Sequence, residues 1–223
     1  MCSMGFLRCN KSYRYELYTL PRAPLCGDPL SLINLLSPNR IRNRSRSHER
    51  RKLSRKARKQ LSVQVPISLL QLYTTPWITS EWSRNDIVFE NIPDATHSSS
   101  VLQPYLRRRL LTVCETSPET ILKNTQAVIF QLGLLLLELC IGETLEGDCV
   151  SPNANPEVQT GYDELVEVAR NEEGDEIAVV IEKCLKFGFQ SRSKSLLDEE
   201  LRKAVYNEVV VPLRDVPRNF NVY

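Results

Sequence analysis

Residues 125–141 read TQAVIFQLGLLLLELCI, and this stretch predicts the core of the fold. Apolar side chains fall on every side of the helical period, which is typical of a helix that is buried all round. The apolar run from Ala127 to Ile141 contains Gln131 and Glu138 and is shorter than the roughly 20 residues that cross a bilayer. We therefore expect a buried core helix that stops at Gly142, and no membrane span.

The rest of the chain predicts mostly further helices. Apolar residues at helical spacing predict them over 30–36, 54–73, 157–172, 175–185 and 197–209. Pro29 suits the first position of the first of these helices, with Asp28 as its N-cap. Pro66 lies inside the second helix and is expected to kink or split it, because proline lacks the backbone N–H of the helical ladder.

Strand patterns are short and few. Residues 12–20 alternate apolar or aromatic side chains with polar ones, which predicts a strand. Residues 5–8 precede it closely enough to form the other half of a hairpin. Residues 86–89, DIVF, predict a short buried strand.

The charge of the chain is unevenly distributed. The 223 residues carry a formal net charge of +2, with 42% hydrophobic and 25% charged residues, which is the composition of a globular protein and not of a collagen-like or wholly disordered chain. Residues 40–59 hold eleven Lys or Arg and one acid, whereas residues 115–200 hold eighteen acids and six bases. The basic stretch could associate with the acidic half or with a polyanionic partner.

Cysteine and histidine usage predicts no metal site and no cofactor. Seven cysteines are scattered without a CxxC pair, and only two histidines are present, so no zinc-binding spacing can be built. We expect reduced thiols, several of them in the core, in a reducing compartment. This predicts a cytoplasmic location, or a nuclear one if the basic stretch acts as an import signal.

Three stretches in this order resemble a known family. They are Leu70 to Ile78 (LQLYTTPWI) with Trp82 and Asp86 to Phe89 after it, Phe130 to Leu139 (FQLGLLLLEL), and Cys184-Leu185 with Arg192 eight residues on. The first resembles a fungal family of unknown function that occurs in proteins related to heterokaryon incompatibility and prion-like signalling. The other two are similar to the buried helix F and the final segment of the protein-kinase C-terminal lobe.

The resemblance implies a mainly α fold with a short β-hairpin, a kinase-like C-lobe whose N-lobe is largely missing. Residues 1–36 would be a strand pair and short helix left from the N-lobe and hinge region. Residues 37–53 would form a basic, poorly ordered insertion, 54–213 the helical lobe and 214–223 a tail. Gly133 and Glu138 would occupy the positions of the glycine and the glutamate in the helix F pattern and would be structural.

The residues that kinases use for phosphoryl transfer are not recognisable. No glycine-rich loop, no strand lysine and no second metal-binding aspartate are found. The resemblance sets Glu81 on the catalytic base and Asp86 on the metal-binding asparagine, while Val128 replaces the aspartate that braces the catalytic loop. A carboxylate pair at 81 and 86 could bind a cation in a divergent metal–nucleotide enzyme. We favour the interpretation in which Glu81 is exposed and Asp86 caps a local turn, so that the chain has no catalytic residue.

Several further residues are expected to be structural. Ser117-Pro118-Glu119 resembles the kinase A-P-E motif, and this implies a salt bridge between Glu119 and Arg192. Trp77 and Trp82 are expected to pin the preceding segment to the core, in preference to stacking on a ligand.

The basic stretch leaves three functions open. It could be a solvated loop, a nucleic-acid or nuclear-import arm, or a contact for anionic lipid. The candidate polyanion contacts are Arg50, Arg51, Lys52, Arg55, Lys56, Arg58 and Lys59. No aromatic residue lies between Leu36 and Leu72, so bases would have no stacking platform. The function that we expect first is a non-catalytic interaction or regulatory module whose partner is a protein.

Overall fold

The computed structural model describes the backbone of residues 3–9, 13–18, 29–36, 53–75, 77–78, 82–89, 104–107, 118–145 and 156–215. It describes side chains over the same ranges except 3–9, 13–18, 118–123 and 156–160. Within these ranges the fold is mainly helical, with a small antiparallel sheet and a separate hairpin.

The predicted hairpin is confirmed. Strand β1 (Ser3–Cys9) pairs antiparallel with β2 (Tyr13–Tyr18), with an irregularity in the register between Ser3 and Gly5. Alternation of apolar and polar residues suits a two-faced strand, and this is why the local sequence was sufficient to predict the pair.

A second sheet contains β3 (Leu30–Ser31), β4 (Ile87–Phe89) and β5 (Pro104–Leu106) in that order. Strand β4, which the DIVF pattern predicts, is central and wholly buried. Its two antiparallel neighbours were not predicted, because strands of two or three residues carry no periodic pattern of their own.

The first helix begins later than predicted. Leu30 and Ser31 pair with β4, and α1 (Leu32–Leu36) follows directly, so the placement of Pro29 at the first helical position is wrong. The backbone N–H and C=O groups of Leu30 and Ser31 are satisfied by pairing with β4, so these two residues do not need a helix to satisfy them.

Helix α2 (Arg55–Leu72) is capped as its sequence suggests. The side chain of Ser54 accepts a hydrogen bond from the N–H of Ala57 at 3.2 Å. Pro66 does not split the helix, so that alternative of the prediction is wrong, while the predicted kink stays a prediction. The proline ring is buried in the helix's core-facing side together with Val65 and Leu69, and this packing offsets the loss of one backbone hydrogen bond.

Helix α3 (Pro118–Ile141) is the centre of the core and packs against α2, α4 and α5. It starts seven residues before the predicted 125–141, with proline in its first position. Gly142 ends it with φ +81°. Its 18-residue window Asn124–Ile141 has a mean hydropathy of 1.6 and is long enough to cross a membrane, yet 67% of the window is buried inside the fold.

The remaining helices complete the core. Helix α4 (Pro156–Glu173) leads through Gly174 into α5 (Asp175–Lys186). Gly133 allows α3 and α5 to pack closely, since a Cβ there would lie 3.0 Å from the Cβ of Cys184.

The predicted last helix, 197–209, runs further than expected. Helix α6 (Glu199–Val205) continues through a π-helical turn (Tyr206–Val210) into α7 (Val211–Asp215). Pro212 lies two residues after the π turn, and its missing N–H is a local reason for the ladder to change there.

Candidate functional site

The turn before β4 engages the carboxylate of Asp86. Residues 84–86 form one turn of 3-10 helix, with Ser83 as its N-cap. Oδ2 of Asp86 accepts a hydrogen bond from the N–H of Ser83 at 2.9 Å, and Oγ of Ser83 accepts one from the N–H of Asn85 at 3.3 Å. The side chain of Ser83 also accepts from the backbone of Asp86, and the reciprocal contacts between Ser83 and Asp86 form a capping box, so Asp86 has the capping role that the sequence favours. Glu81 lies outside the described residues.

The same turn is joined to the end of α3 by a buried ion pair. The Nη1 of Arg84 donates to Oε1 of Glu138, whose side chain is only 1% exposed. Residue 145 adds two contacts: its N–H donates to Oε1 of Glu138 at 2.8 Å, and its carbonyl accepts from Nη2 of Arg84 at 3.3 Å. Two parts of the chain that are distant in sequence, the turn at Arg84 and the end of α3 with Leu145 after it, therefore meet at one carboxylate.

The cost of burying the Glu138 carboxylate is only partly compensated by its hydrogen bonds and its ion pair. Burial raises its pKa to about 7, against the lowering effects of the Leu145 N–H and of the Arg84 charge. Oε2 of Glu138 and the indole N–H of Trp82 are both buried and have no hydrogen-bond partner. A glutamate in an apolar helix signals a buried partner, but the sequence gives no way to choose Arg84 among the available cations.

Both tryptophans lie in the folded segment after α2. Trp82 is 2% exposed and belongs to the hydrophobic core, whereas Trp77 is half-buried. The hydroxyl of Tyr73 lies 2.6 Å from Oγ1 of Thr125, which ties the end of α2 to α3. The LQLYTTPWI segment is therefore tied to α3 through Tyr73, and Trp82, four residues after the segment, lies in the core.

Arg58 caps the C-terminal end of α3. Its Nη1 donates to the carbonyls of Leu139 at 2.8 Å and of Cys140 at 2.9 Å. The last carbonyls of a helix have no partner within the helix and carry negative partial charge, so a guanidinium is well suited to them. A Cβ on Gly142 would lie 2.5 Å from the same Nη1, so a larger residue would displace the guanidinium from the carbonyls, and the positive φ of residue 142 favours glycine independently.

Arg55 and Lys59 bind the end of α4. Nε of Arg55 lies 3.0 Å from Oε1 of Glu173, and Nζ of Lys59 lies 2.9 Å from Oε2 of the same side chain. Nη2 of Arg55 also donates to the carbonyl of Glu172 at 3.0 Å. Lys56, between them in sequence, is exposed. Three of the candidate polyanion contacts thus make contacts within the fold, while Arg50, Arg51 and Lys52 lie outside the described residues.

These cations border a small cleft of about 30 Å³ between α2, the end of α3 and the start of α5. Leu139, Ile177 and Leu213 provide its apolar floor, with Cys140 beside them. Burial, together with the nearby charge of Glu173, raises the pKa of the Cys140 thiol to about 12, so the thiol is neutral.

The predicted salt bridge between Glu119 and Arg192 remains a prediction. Arg192 is exposed, and its backbone N–H donates to Oε1 of Glu200 at 3.0 Å. The side chain of Glu119 is outside the described part of the chain. Among the residues that the structure describes, no group of three or more His, Cys, Asp or Glu side chains is placed to hold a metal ion.

Comparison with known proteins gives one match. The model of a family described as "Domain of unknown function (DUF7580)" matches residues 17–218, which is 202 of the 223 residues. No curated protein matches the chain, and no solved structure matches it. The predicted membership of a family of unknown function is confirmed, while the kinase-like and fungal parts of that prediction still depend on the sequence resemblance alone.

Proposed function

This chain belongs to the DUF7580 family of domains of unknown function, and we propose that it serves as a non-catalytic, kinase-like interaction or regulatory module. The arrangement of the stretches that resemble a kinase lobe supports the proposal. Gly133, from the segment similar to helix F, packs against Cys184, from the segment similar to the end of the lobe. Trp82, from the first stretch, lies in the same hydrophobic core.

The observation that carries the non-catalytic part is the hydrogen bond from the N–H of Ser83 to Oδ2 of Asp86. Phosphoryl transfer depends on carboxylates that hold Mg²⁺ and on groups positioned around the phosphates. Asp86 is the residue that the resemblance sets on a metal ligand, and its carboxylate instead caps the turn before β4. Val128, in the place of the bracing aspartate, is fully buried among apolar residues.

The charge arrangement favours a protein partner over a nucleic acid. Non-specific binding to nucleic acid needs several cations that are available to phosphates. Arg58 is bound to helix carbonyls, and Arg55 and Lys59 share one carboxylate. Lys56, in the described part of the basic stretch, is exposed to solvent.

A thermal-shift titration of the full chain with Mg-ATP tests the proposal. A ligand at ten times its Kd would stabilise the protein by about 1.4 kcal/mol, which would raise the Tm by about 3–6 °C for a chain of this size. We expect no saturable shift. The matched variants are Asp86→Asn, which keeps an oxygen acceptor for Ser83 but removes the charge, and Asp86→Ala, which removes both. A saturable shift in the wild type that disappears in Asp86→Asn would overturn the proposal.

A further inference from the structure

We propose that strand β2 is a homodimerisation edge, at which β2 of one chain pairs antiparallel with β2 of a second copy. This inference goes beyond the proposed function and does not depend on it, since pairing of two copies requires neither the presence nor the absence of catalysis. Two features of the hairpin identify the occupant, which are a strand edge that is open among the described residues and a charge pattern that is complementary to itself.

The hairpin offers a strand edge for pairing. Its sheet has the order β1–β2, so in the part of the chain that the structure describes each strand has one neighbour and one open edge. An edge strand presents a row of backbone N–H and C=O groups that can pair with another chain. A two-stranded hairpin is only marginally stable by itself, whereas three or more strands with a hydrophobic face are stable. Pairing of two hairpins into a four-stranded sheet is therefore favoured over two separate ones.

The register of the hairpin separates apolar from charged residues. Residues that are opposite each other in an antiparallel pair share a face of the sheet, as do residues two apart in one strand. One face holds only apolar or aromatic residues and a glycine: Gly5, Leu7, Cys9, Tyr13, Tyr15 and Leu17. The other face holds the charged residues of both strands: Arg8, Arg14 and Glu16. A partner strand must keep this separation, because a slip of one residue would exchange the faces.

The charge pattern of β2 is complementary to itself. When two copies of β2 run antiparallel about a two-fold axis at Tyr15, Arg14 of each copy is opposite Glu16 of the other. In the same register Tyr13 is opposite Leu17, so the apolar face continues across both hairpins. Opposite charges on neighbouring strands stabilise a sheet. The same patch on both copies forms the contact, which is the arrangement of a closed two-fold dimer.

Other pairings of the hairpin lose this complementarity. A two-fold axis at Arg14 or at Glu16 puts two like charges opposite each other, and a parallel in-register pair does so at both positions. Strand β1 contains a single charged residue, Arg8, so two copies of β1 cannot form a pair of opposite charges. The antiparallel β2 register with its axis at Tyr15 is therefore the one that the charges select.

Arg14 also gains a counter-charge in the dimer that the hairpin does not give it. Within the hairpin Arg14 is directly opposite Arg8, whereas Glu16 is opposite Phe6. Like charges that are directly opposite each other weaken a sheet. In the dimer Glu16 of the second copy is opposite Arg14 at its other edge and offsets this repulsion. The hairpin thus contains an unfavourable pair that dimerisation relieves.

Sedimentation equilibrium of the full chain tests whether the dimer forms. A contact along one strand is below the standard interface size, so we expect a weak, reversible dimer with a Kd on the order of 100 µM. Between about 10 and about 500 µM the weight-average mass should rise from 25.6 kDa towards twice that value. A mass that stays at that of the monomer over this range would overturn the proposal.

Charge reversals test the register. Arg14→Glu and Glu16→Lys should each weaken dimerisation at least about tenfold, because each puts two pairs of like charge across the contact. An equal mixture of the two variants should dimerise as the wild type does, because opposite charges then face each other again. Arg192→Glu and Glu164→Lys, the same changes at exposed positions outside the hairpin, should change the Kd less than about twofold.

Arg14→Glu also separates dimerisation from the stability of the hairpin. It converts the pair with Arg8 into one of opposite charge, so the hairpin should be at least as stable as in the wild type. Thermal melts report whether each variant is folded. Wild-type dimerisation in both reversals, equal losses in their controls, or a mixture that stays monomeric would each overturn β2 as the interface. These outcomes would leave the non-catalytic module standing, whereas saturable Mg-ATP binding through Asp86 would overturn the module and leave the dimer standing.

Discussion

Glu138 and Glu173 are two carboxylates of low exposure, 1% and 8% at their side chains, and the protein holds them in different ways. Glu138 has one cation and one backbone N–H, both on the same oxygen, and its other oxygen has no partner. Glu173 has a cation on each oxygen. The number of partners and their distribution over the two oxygens, more than the presence of a cation, decide how well burial of a carboxylate is compensated.

The largest expected effect comes from removal of the cation beside Glu138. Arg84→Ala leaves a buried carboxylate without its ion pair, and we expect a loss of about 3–5 kcal/mol of unfolding free energy at pH 8. Urea unfolding at pH 8 and pH 5 measures it, and the loss should be smaller at pH 5, where Glu138 is protonated. Lys203→Ala is the control, because Lys203 and its partner Glu199 are both 71% exposed. An equally small loss in both variants would contradict the comparison.

Protonation of Glu138 should be visible in the pH dependence of stability. Its folded pKa, about 7, lies above the ordinary value of 4.5, so the folded state binds the proton more tightly. The contribution of this group to unfolding free energy is therefore fully present below pH 4.5 and is lost as the pH rises through about 7. The stability difference between the wild type and Glu138→Gln, which does not titrate, should fall by about 3 kcal/mol between pH 4.5 and pH 8. A difference that is flat with pH would show that the carboxylate stays ionised.

The smallest expected effects belong to single changes around Glu173. Arg55→Ala and Lys59→Ala should each cost about 0.2–1 kcal/mol, because the other cation stays on the carboxylate and Arg55 is largely exposed. The double variant leaves Glu173 with neither cation and should cost at least about 1 kcal/mol more than the sum of the two. A double-mutant cycle by urea unfolding measures this coupling. Strict additivity would show that the two oxygens are compensated independently.

Local patterns predicted the elements better than their partners. The apolar stretch 125–141 predicts burial of α3 and its stop at Gly142, because both follow from side chains that are close in sequence. The alternation of apolar and polar side chains that predicts β2 also lies within a few neighbouring residues. The sheet formed by β3, β4 and β5 was missed except for β4, since its strands are too short to carry a period.

The candidate site shows the same contrast between local features, which were predicted, and long-range pairs, which were not. The capping role of Asp86 was predicted, because Ser83 lies three residues away. The partner of Glu138 was not, because Arg84 is 54 residues away and proximity depends on the path of the whole chain.

The sequence by itself determined that the chain is mainly helical and is built around one apolar helix. It also shows a basic stretch, but it does not distinguish one cation of that stretch from another. The tertiary structure decided which cations of that stretch are engaged: Arg58 lies on carbonyls about 80 residues ahead, and Arg55 on a carboxylate 118 residues ahead. Periodicity and capping act over a few residues and can be read from the sequence. Charge pairing over such separations is set by how the helices pack, and only the folded chain brings those groups together.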